Sequence, residues 1–285
     1  MPASPLTPSS AGGPGSSVTC NAPPQMARDD LLLAFHAADR GTLDDMPAPT
    51  GGAAWQLADS AVAGDSYLVK LWWKVAGTAE PSGWDFVQAA GADGAVIILP
   101  VRGAAGNTPV TAKTTSGSGT ALPTPGITPV GSDDLEVRFA AGVPYPYGSI
   151  TWTPPSGYTK QTEIMSRTYN AVACATRQLA SSTPTTSADF IASGDIAARA
   201  GLTVSIASAV LLPPTGLTAT PVSATQINLA WGSVAQAIAY DVQRQRWDGT
   251  AWTAEQTTRV QATTLADTGL AAATRYRYRV RSVVT

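Results

Sequence analysis

One histidine, two cysteines and twenty carboxylates, only four of them glutamates, are all the chain offers to a proton relay, a thiolate or a carboxylate pair. A hydrolytic triad would have to use His36, because an imidazole must carry the proton between nucleophile and leaving group. In LLLAFHAADR the Phe35-His36-Ala37 setting reads as a strand end, so His36 is expected to be structural. The chain has no G-x-S-x-G, H-E-x-x-H, Walker or C-x-x-C motif. Cys20, Cys174 and His36 would make at most three ligands of a zinc site, and the two cysteines are read as free thiols. Glycoside hydrolysis needs two facing acids. Of Glu80, Glu136, Glu163 and Glu255, Glu80 sits in a turn, and Glu136 alternates with Leu135 and Val137 as a solvent-facing residue would. These acids are therefore expected on the surface. Asp29-Asp30, Asp44-Asp45 and Asp133-Asp134 are loop pairs of hard oxygen donors, but they lack the regular spacing of a calcium loop. The expectation is a protein with no catalytic residues, no cofactor and no metal.

Aromatic side chains are the better lead. Trp72 lies between Lys70 and Lys74 on the mixed face of its strand; Tyr145, Tyr147, Trp152 and Tyr158 lie at strand ends and turns. Exposed rings of this kind stack on sugars and anchor protein interfaces. The segment GVPYPYGS, made rigid and extended by Pro144 and Pro146, is the first choice for a contact surface.

The elements that must position these residues are strands. With 13% charged residues, 26 Gly and 22 Pro, the composition is that of a turn-rich β protein. Tyr67–Val87, YLVKLWWKVAGTAEPSGWDFV, is the clearest hairpin: Tyr67, Val69, Leu71, Trp73 and Val75 alternate onto one apolar face, and Gly77 to Gly83 is turn chemistry. About nine such runs between Val18 and Leu212 predict a jelly-roll-like β-sandwich over 18–212. Residues 103–132, rich in Gly, Thr, Ser and Pro, read as a long surface excursion. A short helix is expected within 186–200, with Ser187 as its N-cap and Ala197-Ala198-Arg199-Ala200 at its end. Residues 1–17, MPASPLTPSSAGGPGSS, hold too little apolar surface to fold alone and read as an anchoring arm held against a partner.

The pattern changes at Leu212-Pro213-Pro214. There PPTGLTATPVSATQINLAW, then AYDVQRQR, then TLADTGLAAATRYRYRVRSV follow one another. Residues 213–285 thereby resemble a fibronectin type III domain. The resemblance implies that Trp231 is the buried strand-B tryptophan, that Tyr240 and Val242 face inward from strand C, and that Leu270 and Tyr276 form the tyrosine corner. It also implies Tyr276, Tyr278 and Val280 inward and Arg275, Arg277, Arg279 and Arg281 outward. The sequence departs from the family in showing no strand G after strand F, so that either the sequence is cut there, the domain tolerates six strands, or a neighbour supplies the seventh by strand addition. In the first region, LVKLWWKVAGTAEPSGWDFV, together with the later PPSGYT, resembles a segment common in phage virion proteins, which often carry fibronectin type III modules.

The net charge of −2 gives a nucleic-acid partner no electrostatic support, and no run of about 18 apolar residues is present to span a membrane. The N-terminus shows neither a basic nor an apolar leader segment. These features and the resemblances together suggest a non-enzymatic structural component of a bacteriophage particle, a minor tail protein or a capsid-associated fibre or decoration protein. Such a protein would assemble in the host cytoplasm, contact other virion proteins or copies of itself, and meet a host-surface glycan through its outer module. The alternative is a bacterial carbohydrate-binding protein with a sugar-binding sandwich and a fibronectin type III spacer.

Overall fold

Alternating apolar residues bounded by Gly, Pro and Asn favour strands, and among the described residues nearly all the regular structure is strand. A computed structural model describes residues 2–283 except 107, 117, 168, 210–212, 235 and 236. The chain divides into two compact units, residues 2–209 and residues 210–285. The sequence change at Leu212 falls outside the described residues.

In the first unit, β1 (Ser4–Pro5), β2 (Ser9–Asn21), β3 (Leu31–Ala38), β4 (Gln56–Ala63), β5 (Tyr67–Val75) and β6 (Gly83–Arg102) make one antiparallel sheet. Its order is β6-β3-β5-β4, with β1 and β2 both pairing the outer edge of β6. A second antiparallel sheet follows from β7 (Val110–Ser116), β8 (Gly119–Thr124), β9 (Leu135–Pro144), β10 (Trp152–Thr153), β11 (Thr159–Ser166), β12 (Asn170–Gln178) and β13 (Ala188–Ile206). Here the order is β13-β9-β12-β11, with β7 and β8 along the outer edge of β13. The expected two-sheet sandwich is present. Its chain completes one sheet before starting the other, whereas a jelly roll passes strands back and forth between its sheets.

The two sheets are built alike. Leu31 pairs Val75 and Val101, and Leu135 pairs Gln178 and Ile206 in the matching places. The β4–β5 ladder is bulged between Leu57 and Asp59, and the β11–β12 ladder at the matching place between Lys160 and Thr162. Asp29 and Asp133, each just before the central strand, both adopt positive φ, 69° and 68°. The unit is thus an internal duplication. Its halves meet face to face over a core of Leu33, Phe35, Val69, Leu71, Ile97 and Leu99 from one sheet and Val137, Phe139, Val172, Leu202 and Val204 from the other. Phe35 and Phe139 hold the same position in their sheets and stack on each other with centroids 4.7 Å apart and planes 17° apart. Two like halves packed by the same face produce this contact, as in an isologous dimer.

Each sheet also buries its outer face. The β2–β6 register breaks between Gly15 and Ser17, and the β8–β13 register breaks between Ile191 and Ile196. Beyond the first break, Val18, Cys20, Trp84 and Phe86 join Leu32, Ala34, Trp72, Val96 and Ile98 in one cluster, so the first part of β6 folds back over its own sheet. Leu122 and Phe190 do the same over Ala140, Ala171 and Ala173 in the second half. Bulges are the usual device for such a corner.

Four expectations are corrected here. The segment Tyr67–Val87, expected as a hairpin, supplies β5 and the start of β6, which do not pair because β3 inserts between them. Of residues 1–17, read as an anchoring arm held against a partner, Ser4–Pro5 form β1 and the part from Ser9 onward belongs to β2 (Ser9–Asn21), both within the chain's own sheet. Backbone pairing supplies the order, and small residues permit the close approach: a Cβ on Gly12 would lie 2.8 Å from the Ser166 Cβ. The excursion over 103–132 contains β7 and β8. The helix expected within 186–200 is part of the 19-residue strand β13; ladders on both of its sides override the helical preference of its alanines.

The second unit has sheets β14 (Thr218–Ser223)-β15 (Gln226–Ala230)-β18 (Thr264–Thr268) and β17 (Gln256–Val260)-β16 (Ala239–Arg246)-β19 (Tyr276–Val283). This is the strand order of a fibronectin type III-like sandwich. Leu229, Trp231, Tyr240 and Val242 are its buried centre, with the Trp231 and Tyr240 rings edge to face at 5.6 Å. Along β19, Tyr276, Tyr278 and Val280 are half-buried, and Arg277, Arg279 and Arg281 are exposed. Leu270 is buried, and the Ala271 N–H donates to the Tyr276 hydroxyl at 2.8 Å, completing the tyrosine corner. Tyr276→Phe removes that acceptor and is expected to cost this unit about 1 kcal/mol, read as a fall in its thermal transition. Among the described residues β19 is an outer strand, paired only with β16.

Candidate functional site

A buried charge must be paired or it destabilises the fold, and the ionisable side chains of the first unit follow that rule. Glu136, expected on the surface, is fully buried, because β9 is covered on both faces. Its Oε1 accepts from Arg138 Nη2 at 2.7 Å and Nε at 2.9 Å, and its Oε2 accepts from Arg177 Nη2 at 2.8 Å. Arg138, equally buried, also donates to the Thr124 and Thr186 carbonyls. Both guanidinium groups lie over the Tyr158 ring, at 4.9 and 4.5 Å. Tyr158 is therefore half-buried within a structural network, and burial pushes its phenol up to about 12.

The matching place in the first half carries a different solution. Lys74 is 1% exposed, donates to Glu80 Oε2 at 2.5 Å and to the Ala53 carbonyl, and lies 4.4 Å over Trp84 and 4.9 Å over Trp55. Glu80, also expected on the surface, is a buried brace whose Oε1 accepts from the Gly77 N–H at 2.7 Å. Burial lowers the Lys74 pKa, and the Glu80 carboxylate partly opposes that.

His36 is buried, with Nε2 3.2 Å from Gln88 Oε1. Gln88 Nε2 donates to the Ala92 carbonyl at 3.0 Å, so the pair fastens the corner of β6. In the second half Ala140 and Ala192 occupy these two places. Desolvation lowers the His36 pKa to about 4. Cys20 and Cys174 are free, buried thiols; burial raises Cys20 to about 11 and Cys174 higher. Asp30 is bound by Arg102 Nε and Nη2, both at 3.0 Å, and Asp134 accepts from the Val130 N–H at 2.9 Å. Asp45 caps the 3-10 turn Leu43–Asp45 by accepting from the Thr42 N–H.

The aromatic candidates separate sharply. Trp72 is 5% and Trp152 1% exposed, because each fills an outer-face cluster under a folded-back strand. Neither offers a contact surface, which corrects the reading of the mixed face of β5 as exposed. Tyr145 and Tyr147 stay 65% and 60% exposed on the bend that follows β9. The Tyr145 N–H is tied to the Asp195 carbonyl at 2.8 Å. The Tyr147 ring lies 4.7 Å from that of Tyr169, with planes 57° apart. Arg40 is within electrostatic reach of Tyr147 and is gripped by Asp39, Nε to Oδ1 and Nη2 to Oδ2, both at 3.3 Å. The Asp39 Oδ1 also accepts from the Asp93 N–H at 2.7 Å. Sequence reasoning found the two exposed tyrosines and missed Tyr169, Arg40 and Asp39. These come from the β11–β12 turn and the end of β3, which only the sandwich brings together.

The class so defined is an all-β protein with a duplicated two-sheet sandwich and a fibronectin type III-like sandwich. No family model matches the chain, and no curated protein matches it. Among solved structures, domains A168–A170 of titin are similar at 11% identity, over 99% of this chain and 94% of that chain, with a TM-score of 0.25. The FN1–FN3 domains of chicken CNTN1 are similar at 14% identity, over 98% and 94%, with a TM-score of 0.24. Superpositions this loose carry no argument, so the fold rests on strand order and register. Among the described residues, no helix is long and apolar enough to cross a membrane.

Proposed function

We propose that this protein is a non-enzymatic structural component of a bacteriophage particle, a serial arrangement of β modules that docks through its first unit and presents its aromatic bend for contact. The observation that carries the reading is the strand–turn–strand segment of the first sheet, whose two strands flank β3. The residues that resemble phage virion proteins, Leu68–Val87, supply most of β5, the turn braced by Glu80, and the start of β6. The second half repeats that frame with other side chains. Such a chain gains size by repetition and employs its buried charges as braces. Mass spectrometry of gradient-purified particles, from a lysate carrying this coding sequence, is expected to find the protein at stoichiometric copy number. Its absence from the particles would overturn the reading and favour the alternative, a bacterial carbohydrate-binding protein.

If the exposed tyrosines serve contact and not folding, the pair Tyr145→Ala and Tyr147→Ala should leave stability within about 0.5 kcal/mol of the parent chain. Thermal denaturation checks this; a loss above about 2 kcal/mol would make the bend structural.

A further inference from the structure

We propose that Tyr145, Tyr147 and Tyr169, with Arg40 held by Asp39, form a binding site for one neutral hexopyranose unit of a glycan. The inference deepens the contact role given above to the aromatic bend, and rests on it.

The internal duplication supplies the first argument. The matching bend of the other half begins at Gly41, and its Leu43 packs partly buried against Ala38, Met46, Leu68 and Ala92. That end of a sheet is closed by one small residue and one inward leucine. The second half instead places two tyrosines outward at 65% and 60% exposure. Folding of this frame does not require them there, and exposed rings clustered at one place mark a recognition surface.

Chemistry selects the ligand. Tyr147 and Tyr169 form a tilted pair of rings at 4.7 Å, an apolar surface edged by phenol hydroxyls. Such a surface suits a ring with C–H faces and peripheral hydroxyl groups. Arg40 is 58% exposed on a backbone fixed at the end of β3, and Asp39 takes two of its five donors. The guanidinium is thereby oriented in advance, which reduces the ordering cost of binding. The charges nearby balance: Arg40 and Arg167 against Asp39 and Asp93, which lie within electrostatic reach of one another. A balanced site favours a neutral sugar over a sulfated or phosphorylated one.

The test is a glycan array bearing neutral hexose oligosaccharides, probed with the full chain and followed by calorimetric titration of the strongest binder. Tyr147→Ala and Arg40→Met are each expected to weaken binding about 10-fold or more. Tyr147→Phe should keep most of it, and Val62→Ala, another exposed position, should change nothing. Melting curves confirm that each variant is folded. If the parent chain binds no neutral glycan, or binds equally well after Tyr147→Ala, the inference fails. If it binds none while Tyr147→Ala reduces incorporation into particles, the bend is a protein contact, and the particle reading stands without the sugar.

Discussion

Replacing Arg138 by methionine is expected to destabilise the first unit by about 3 kcal/mol, the lower end of the range for breaking a buried ion pair by removing one partner. Glu136 would keep a charge with no water near it, and the Thr124 and Thr186 carbonyls would lose their donor. Arg177 remains on Oε2 of Glu136 and its side chain is 35% exposed, which is why the lower figure applies. The double variant Arg138→Met with Glu136→Leu should recover much of the loss, because an apolar pair of similar volume carries no desolvation penalty. Urea unfolding followed by tryptophan fluorescence measures both. A single-variant loss below about 1 kcal/mol would show that the network adds little to the fold. A double variant worse than the single would show that the charges are not the issue.

The second large effect is one of pH. His36 has a folded pKa near 4 against an ordinary 6.5, because burial disfavours the imidazolium. Its neutral form belongs to the folded state, so the associated stability is present above about pH 6.5. As the pH falls, the unfolded chain takes up a proton that the folded chain refuses, and stability is lost until about pH 4. The difference corresponds to roughly 3 kcal/mol across that window. Denaturant midpoints between pH 7 and pH 4 should record it. His36→Ala with Gln88→Ala installs the alanine pair that the second half uses at Ala140 and Ala192. The double variant should flatten the profile over the same window, whatever it does to stability at pH 7. An unchanged slope would assign the acid sensitivity to other groups.

The sequence made part of this legible, for identifiable reasons. The face of Tyr67, Val69, Leu71 and Trp73 was readable because alternation reports which residues share a side of a strand. It does not report whether the opposite side is covered. Trp72 and Glu136 therefore looked solvent-facing, though the cover comes from strand halves that fold back at corners set by bulges. The fibronectin type III-like spacing was visible because its contacts are local: Trp231 meets Tyr240, and the Tyr276 hydroxyl meets Ala271 beside Leu270. β2 was not, since its order comes from backbone pairing and close approach rather than from side chains that could be counted. The duplication left one readable trace, Asp29-Asp30-Leu31 against Asp133-Asp134-Leu135. At most other places the two halves keep the register and exchange the side chains, Lys74 and Trp84 in one, Arg177 and Ala188 in the other. The proposed contact site was half legible: Tyr145 and Tyr147 stand out in GVPYPYGS, while Tyr169 and Arg40 are unremarkable residues until the halves are joined.

That joining has a consequence for how the first unit comes together. Each sheet's ladders close within its own half of the chain, so the halves recognise each other chiefly through buried side chains, as two separate subunits would. The segment between β6 and β7 then acts as a tether, holding the second half near the first at an effective concentration of order millimolar. A diffusive encounter is thereby converted into an intramolecular one, and assembly of this sandwich becomes independent of how dilute the protein is.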